Sequence, residues 1–486
     1  MQNLPEKQPV TISVLPFEVN SGQCRIAAGR GACLMAAFTI LSPTAILGYG
    51  FPEASFQRGL ECAPDLIAVD AGSTDPGPYY LGSGKSFTDR NAVRRDLALL
   101  LQAAVGAGIP LVIGSAGGAG ARPHLQWTVA IVRELARELQ LSFRLGIVSA
   151  DVPRERALAG LRQGRVSALT GVPPLDEATL ADSTALVAQM GVEPIQQALS
   201  LGCQVVVAGR AYDPAVFAAL PMMRGFDPGL ALHLGKILEC AAIAASPGSG
   251  ADCALGILEQ DRFILRPLSS ERCFTPTSVA AHTLYEKSNP YLLPGPGGDL
   301  DLRGVSFESA GEGQVAVRGS RFIPAARYCV KLEGARRVGC RSISIAGVRD
   351  PVMIGAIDTI LQQVRERVRG MLPTAESDRG LNFHVYGRDG VLGASEPRRA
   401  HPAHELGIVI DAVCPTAEAA DTLCSLTRST LLHFGYQGRI ATAGNLAFPF
   451  SPSDLRAGEV YEFSVYHLLE ADPLEFFPVT VEELQS

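Results

Sequence analysis

"DLIAVDAG", residues 65–72, is a run of apolar residues that closes on aspartate and glycine. Nothing polar alternates through it, so it reads as a short strand buried on both faces. Its neighbours repeat the design. "FTIL" (38–41) precedes it, and "IPLVIGSAGG" (109–118), "FRLGIVSAD" (143–151) and "CQVVVAGRAYDP" (203–214) follow. Helical patterns separate them. One begins near Pro52, and one follows a Thr88 or Asp89 cap and ends in glycines. Another opens at Pro123 and repeats Leu125, Val129, Val132, Leu135 and Leu139 on one face. Apolar strands alternating with helices predict a Rossmann-like, mostly parallel sheet covered on both faces.

The pattern changes beyond Asp252. "VSFESAGEGQVAVRGSRF" (305–322) alternates around Gly-Glu-Gly and predicts a hairpin. From 340 onward the order is strand, helix, strand, strand, helix, strand, a ferredoxin-like α+β pattern. The expected organisation is an extension at 1–37, an α/β domain at 38–252, a β-rich segment at 253–335, the ferredoxin-like domain at 336–470 and a tail at 471–486. For 1–37 the alternative is a targeting leader, although arginines interrupt its apolar part.

Gly84-Lys85-Ser86 imitates the end of a phosphate-binding loop. The defining glycine five residues before Gly84 is Tyr79, and the strand ends long before it, so a nucleotide triphosphatase is excluded. Gly118-Ala-Gly120 running into Pro123 likewise breaks the dinucleotide fingerprint. There is no G-x-S-x-G elbow and no metal-ligand spacing, so no metal site and no resident cofactor are expected.

Ligands on parallel sheets bind beyond the carboxyl ends of the strands. Those ends are Ser42, Asp70, Ser115, Asp151 and Arg210–Asp213. The stretch after Asp70 reads as a long loop with Ser73, Thr74, Asp75, Tyr79 and Lys85, more chemistry than a connection needs. The alternative is a turn in which Asp70 and Asp75 cap their own backbone. Gly117, Gly118 and Gly120 offer amides to an anion at a helix start. His124 follows in the first helical turn, as base or surface residue. Arg210 suits bidentate carboxylate binding, or pairs with Asp213 to shape the loop.

Glu239 lies among apolar neighbours and needs a partner or a raised pKa, with Lys236 the simple partner. Asp252 follows a flexible turn. His282 shares a predicted helical face with Tyr285 and Glu286. The expected acid–base set is Asp70, Asp75, His124, Glu239 and His282, and the expected substrate contacts are Ser42, Ser73, Thr74, Tyr79, Lys85, Ser115, Gly117, Gly118, Gly120, Arg210, Asp213 and Asp252. Cys240 and Cys253 are expected to pack.

Charged residues make up 19% of the chain and the net charge is −7. The low charged fraction predicts a homo-oligomer. The acidic balance excludes nucleic acid as main partner, and no apolar run spans a bilayer. Eleven scattered cysteines read as reduced cytoplasmic thiols.

"LSPTAILGYGFPEASF", "DLIAVDAGSTDPGPYYLG", "IGSAGGAGARPHL", "VVAGRAYDPAVFAALP", "LGKILECAAIAASPGSGADC" and "LNFHVYGRDGV" together resemble the acyclic terpene utilisation, or AtuA-like, family over roughly 38–470. The resemblance implies breakdown of branched acids through acyl-CoA intermediates, and a small companion protein. Ser115 replaces the asparagine of the terpene subgroup, which turns the expectation away from terpenoids. With the residues above, the expected function is a lyase or hydratase acting on a small or branched carboxylic acid or its CoA thioester. An acyltransferase or isomerase, and a non-catalytic ligand-binding subunit, are the alternatives.

Overall fold

The computed structural model describes residues 37–285, 289–372, 380–440 and 442–485. The expected extension at 1–37 lies outside them except for its last residue, and Glu286 lies outside them too. In chain order, β1 (Phe38–Ser42), β2 (Leu66–Asp70), β3 (Leu111–Gly114), β4 (Phe143–Val148), β5 (Val166–Ala168), β6 (Ala185–Gln189) and β7 (Val205–Ala208) alternate with helices. Five of them, in the order β1-β2-β3-β7-β4, are parallel.

Both faces of these strands are covered, which is why their sequences lack alternation. Ile40, Ala68, Val112 and Val206 share one core with Phe217 and Leu234. Leu41, Ile67, Ile113 and Val207 share the other with Leu97, Leu100 and Val129. Helix Arg90–Ala107 starts where Asp89 accepts the amides of Asn91 and Ala92, and it ends at Gly108 with φ +68°. Helix Arg122–Glu138 carries Pro123 in its first turn, where a missing N–H costs nothing. The stretch after Asp70 departs from the expected loop. Pro78 opens a short helix there, Pro78–Ser83, and left-handed Gly84 closes it.

Antiparallel strands complete the main sheet. The next strands in the chain are β8 (Ala254–Leu258), β9 (Arg262–Pro267), β10 (Leu292–Gly295), β11 (Gly298–Asp301), β12 (Ser306–Gly311), β13 (Gln314–Arg318) and β14 (Arg321–Pro324). β8, β9, β13 and β12 extend it beyond β1, while β10, β11 and β14 form a small sheet of their own. The predicted hairpin is β12–β13, and it belongs to the main sheet.

The remaining strands are β15 (Cys329–Val348), β16 (Leu381–Tyr386), β17 (Leu406–Cys414), β18 (Asp454–Glu470) and β19 (Val479–Leu484). The second sheet runs β16-β17-β15-β18-β5 and is antiparallel throughout. Helices Ile357–Arg369 and Ala417–Leu432 cover one face, packing Ile360, Val364 and Leu423 on Ile408 and Ile410.

Three expected boundaries need correction. The cut at 335/336 falls inside β15, whose early residues pair with β6 and whose later ones pair with β17. β5 and β6, inside the expected α/β domain, belong to the second sheet. Residues 471–486 are no tail, because β19 lines the edge of β4 and closes the main sheet. Among the described residues, no helix is long and apolar enough to cross a membrane.

Candidate active site

β3 leads into helix Arg122–Glu138 on one face, and β7 into helix Asp213–Met223 on the other. Where neighbouring parallel strands part in this way, a crevice opens beyond their ends. Ser115 turns the chain there with φ +45°, a conformation that non-glycine residues avoid without support. Its support is Arg210, whose Nη1 donates to Ser115 Oγ at 3.2 Å, to Asp213 Oδ1 at 2.9 Å and to the Ala211 carbonyl at 2.8 Å.

The other arm of Arg210 reaches the second sheet. Its Nε donates to Glu333 Oε2 at 2.7 Å, and Lys331 Nζ lies 2.7 Å from Glu333 Oε1. Glu333 is fully buried. Burial would raise its carboxyl, but Arg210 and then Lys331 outweigh that and hold it at about 2.

Asp70 sits beside this network with the opposite balance. Burial, then the charge of Asp213, push its pKa well above the usual carboxylate range, and Glu239 adds to the rise. Arg210 and an amide of Gly72 only partly counter it. Asp70 Oδ1 has no hydrogen-bond partner among the described residues. A buried carboxyl whose pKa is raised and which keeps an unbonded oxygen is suited to donate a proton.

Gly235 brings the third part in. A Cβ there would lie 2.5 Å from the Pro214 carbonyl, so only glycine lets helix Pro228–Leu238 come this close. Lys236 and Glu239 then form a buried pair at 2.6 Å. Burial would lower the Lys236 ammonium, but Glu239 more than offsets it and keeps it charged. That charge and, before it, burial push His282 down to about 4. Its Nε2 has no hydrogen-bond partner among the described residues.

The family model described as acyclic terpene utilisation family protein AtuA matches residues 89–445. The chain belongs to the AtuA family. No curated protein and no solved structure matches it.

In this AtuA family member, Asp70, Ser115, Arg210, Asp213 and Glu239 therefore come together at the strand ends, and Lys236 connects His282 to them. Other expected residues do not join them. His124 is buried and its Nε2–H goes to the carbonyls of Tyr80 and Lys85, so it staples helix Pro78–Ser83 to the main body. Asp75 is exposed and closes a local turn with Ser73, while Thr74 is buried in that turn. Asp252 is held by Arg272 at 2.7 Å and by the Cys253 amide. Ser42 donates to the Leu238 carbonyl at 2.7 Å. Tyr79 packs on Tyr461, and Lys85 lies over the Tyr79 ring.

Two expected binding devices are also spent on the protein itself. Arg210 cannot offer a bidentate fork, since Nε and Nη1 are engaged and only Nη2 is left without a bond among the described residues. The glycines at 117, 118 and 120 are required by packing: a Cβ would meet His124, Phe87 and Arg210 respectively. Gly120 is the tightest, with φ +66° and a clash of 2.1 Å with the Arg210 nitrogen. Gly120→Ala is expected to cost roughly 1–3 kcal/mol, as overpacking does, and thermal unfolding will read it as a lower Tm. Cys240 is pushed up to about 12 by burial and then Glu239, and Cys253 is raised by burial, so both thiols stay protonated and pack.

Glu333 and Lys331 are the residues that sequence reading missed. The signal was there: both are charged, two apart and on one face of a strand whose other face carries fully buried Val330 and Leu332. His233 was missed as well, and it is a satisfied core residue between Ser320 and Thr283.

Proposed function

We propose that the chain is an acid–base enzyme, a lyase or hydratase, acting on a small or branched carboxylic acid or its CoA thioester. The observation that carries this is the buried Asp70 carboxyl, biased toward its protonated form and with one oxygen unbonded among the described residues, beside Arg210 and Asp213 at the strand ends. Asp70 would deliver a proton to a departing hydroxyl or to a carbanion. Lys236 would stabilise the negative charge developing on a carbonyl oxygen, and Nη2 of Arg210 would hold a carboxylate by one contact. The same reading takes the parallel half as Rossmann-like and the later half as ferredoxin-like, supported by the strand orders above.

The test is incubation in D2O with a panel of hydroxy acids and acyl-CoA thioesters, following α-proton exchange by NMR together with product formation. Exchange or turnover with one class of compound is expected. Neither on any of them would overturn the reading.

A second reading has an observation of its own. Tyr49, Ile243 and Tyr285 are exposed, the first two face Gly250, and the Tyr285 hydroxyl lies 4.0 Å from Cys240 Sγ. This apolar rim beside the buried centre favours a ligand-binding subunit that a partner caps. It would predict no turnover by the isolated chain and turnover on adding the partner.

A further inference from the structure

A cleft of about 490 Å³ lies between the Thr74–Asp75 turn, the loop Val172–Leu175 and β18. That size suits a small organic ligand. Pro173, Leu175, Phe463 and Tyr466 make its walls largely apolar, while Arg336, paired with Glu462 and Asp182, and Asp75 add one charge of each sign. Phe463 keeps 41% of its surface exposed, so its ring is accessible to a ligand lying in the cleft. The cleft is preformed, because His467 Nε2 holds the Pro173 carbonyl at 3.0 Å and so fixes the loop over β18.

Two connections join this cleft to the buried centre. Thr74 follows Asp70 by only four residues, at most about 14 Å of extended chain. On the opposite wall the Tyr466 hydroxyl accepts from Lys331 Nζ at 3.2 Å, and Lys331 holds Glu333, which holds Arg210. An acid lying here would therefore have an apolar channel for its chain and the Lys331 ammonium near its head.

We propose that this cleft binds the hydrocarbon chain of a medium-length monocarboxylic acid, with the carboxyl end turned toward Lys331. The inference rests on the acid reading above and assigns its chain-binding site. The probe is dansyl-undecanoate, titrated into the full chain by fluorescence and competed with octanoate or with succinate, an acid lacking the chain. Saturable binding, displaced by octanoate and not by succinate, is expected.

Phe463→Asp should weaken binding about tenfold or more, and Phe463→Leu should hold it within about threefold, both with an unchanged Tm because the side chain is half exposed. No saturable binding, equal competition by succinate, or wild-type affinity in Phe463→Asp would overturn the assignment. The readout needs no turnover, so it separates the two claims. Normal probe binding by a chain that turns over no acid would remove the enzyme reading and leave the cleft. Turnover with an unchanged KM in Phe463→Asp would remove the cleft and leave the enzyme.

Discussion

Glu333→Ala is expected to destabilise the fold by about 3–5 kcal/mol, the cost of breaking a buried pair from one side. Lys331 would then lose its carboxylate partner and face Arg210, which would keep only Asp213. Typical domains hold only about 5–15 kcal/mol in total, so a large share of the stability is at stake. Glu333→Gln keeps the shape and part of the hydrogen bonding and should lose less. Urea unfolding at neutral pH measures both.

The pH dependence has a definite sign. The folded carboxyl sits at about 2, below its ordinary 4.5, so its contribution is complete above 4.5 and fades as pH falls toward 2. The alanine variant should therefore lose its deficit in acid. A loss below about 1 kcal/mol at neutral pH, the level of an exposed pair, would mean that water reaches the cluster.

Asp70→Asn should act in the opposite direction on stability and strongly on activity. The folded pKa of Asp70 is raised above its ordinary 3.8. Its contribution to stability is therefore full below 3.8 and is lost as pH rises through the raised value. Asparagine cannot ionise, so the variant should melt higher than the parent at alkaline pH, and the gap should close in acid. Turnover should fall by roughly 10²–10⁴, the usual share of a general acid. Melting curves from acid to alkaline pH and a rate assay check the two halves. A variant that melts lower at alkaline pH would make the ionised carboxylate a structural partner of Arg210, and the proton-donor role would fall.

Much of the parallel half could be read from the chain, because strands buried on both faces leave unbroken apolar runs and the long helix Arg90–Ala107 is bounded by its caps, Asp89 and Gly108. The later strand–helix order was legible for a similar reason. What escaped was non-local. β15 carries twenty residues that serve two sets of partners, and no local pattern says where one set ends.

The site divides along the same line. Asp70, Arg210 and Asp213 were visible because strand ends on such sheets meet in space. Glu333 comes from more than a hundred residues further along, and only the pairing of β15 with β6 delivers it to Arg210. His124 misled for the reverse reason: its type and position suggested a base, while its nitrogen serves two carbonyls.

β19 ties the order of assembly to the order of synthesis. β4 is made early, and its outer edge pairs with residues 479–484. Until those residues emerge from the ribosome, the edge presents a row of unpaired backbone groups of the kind that recruits foreign strands. Contacts of such sequence separation also form slowly. A nascent chain of this protein would therefore carry an open sheet edge from the completion of β4 until residues 479–484 are made, and shielding by a chaperone is most needed at β4.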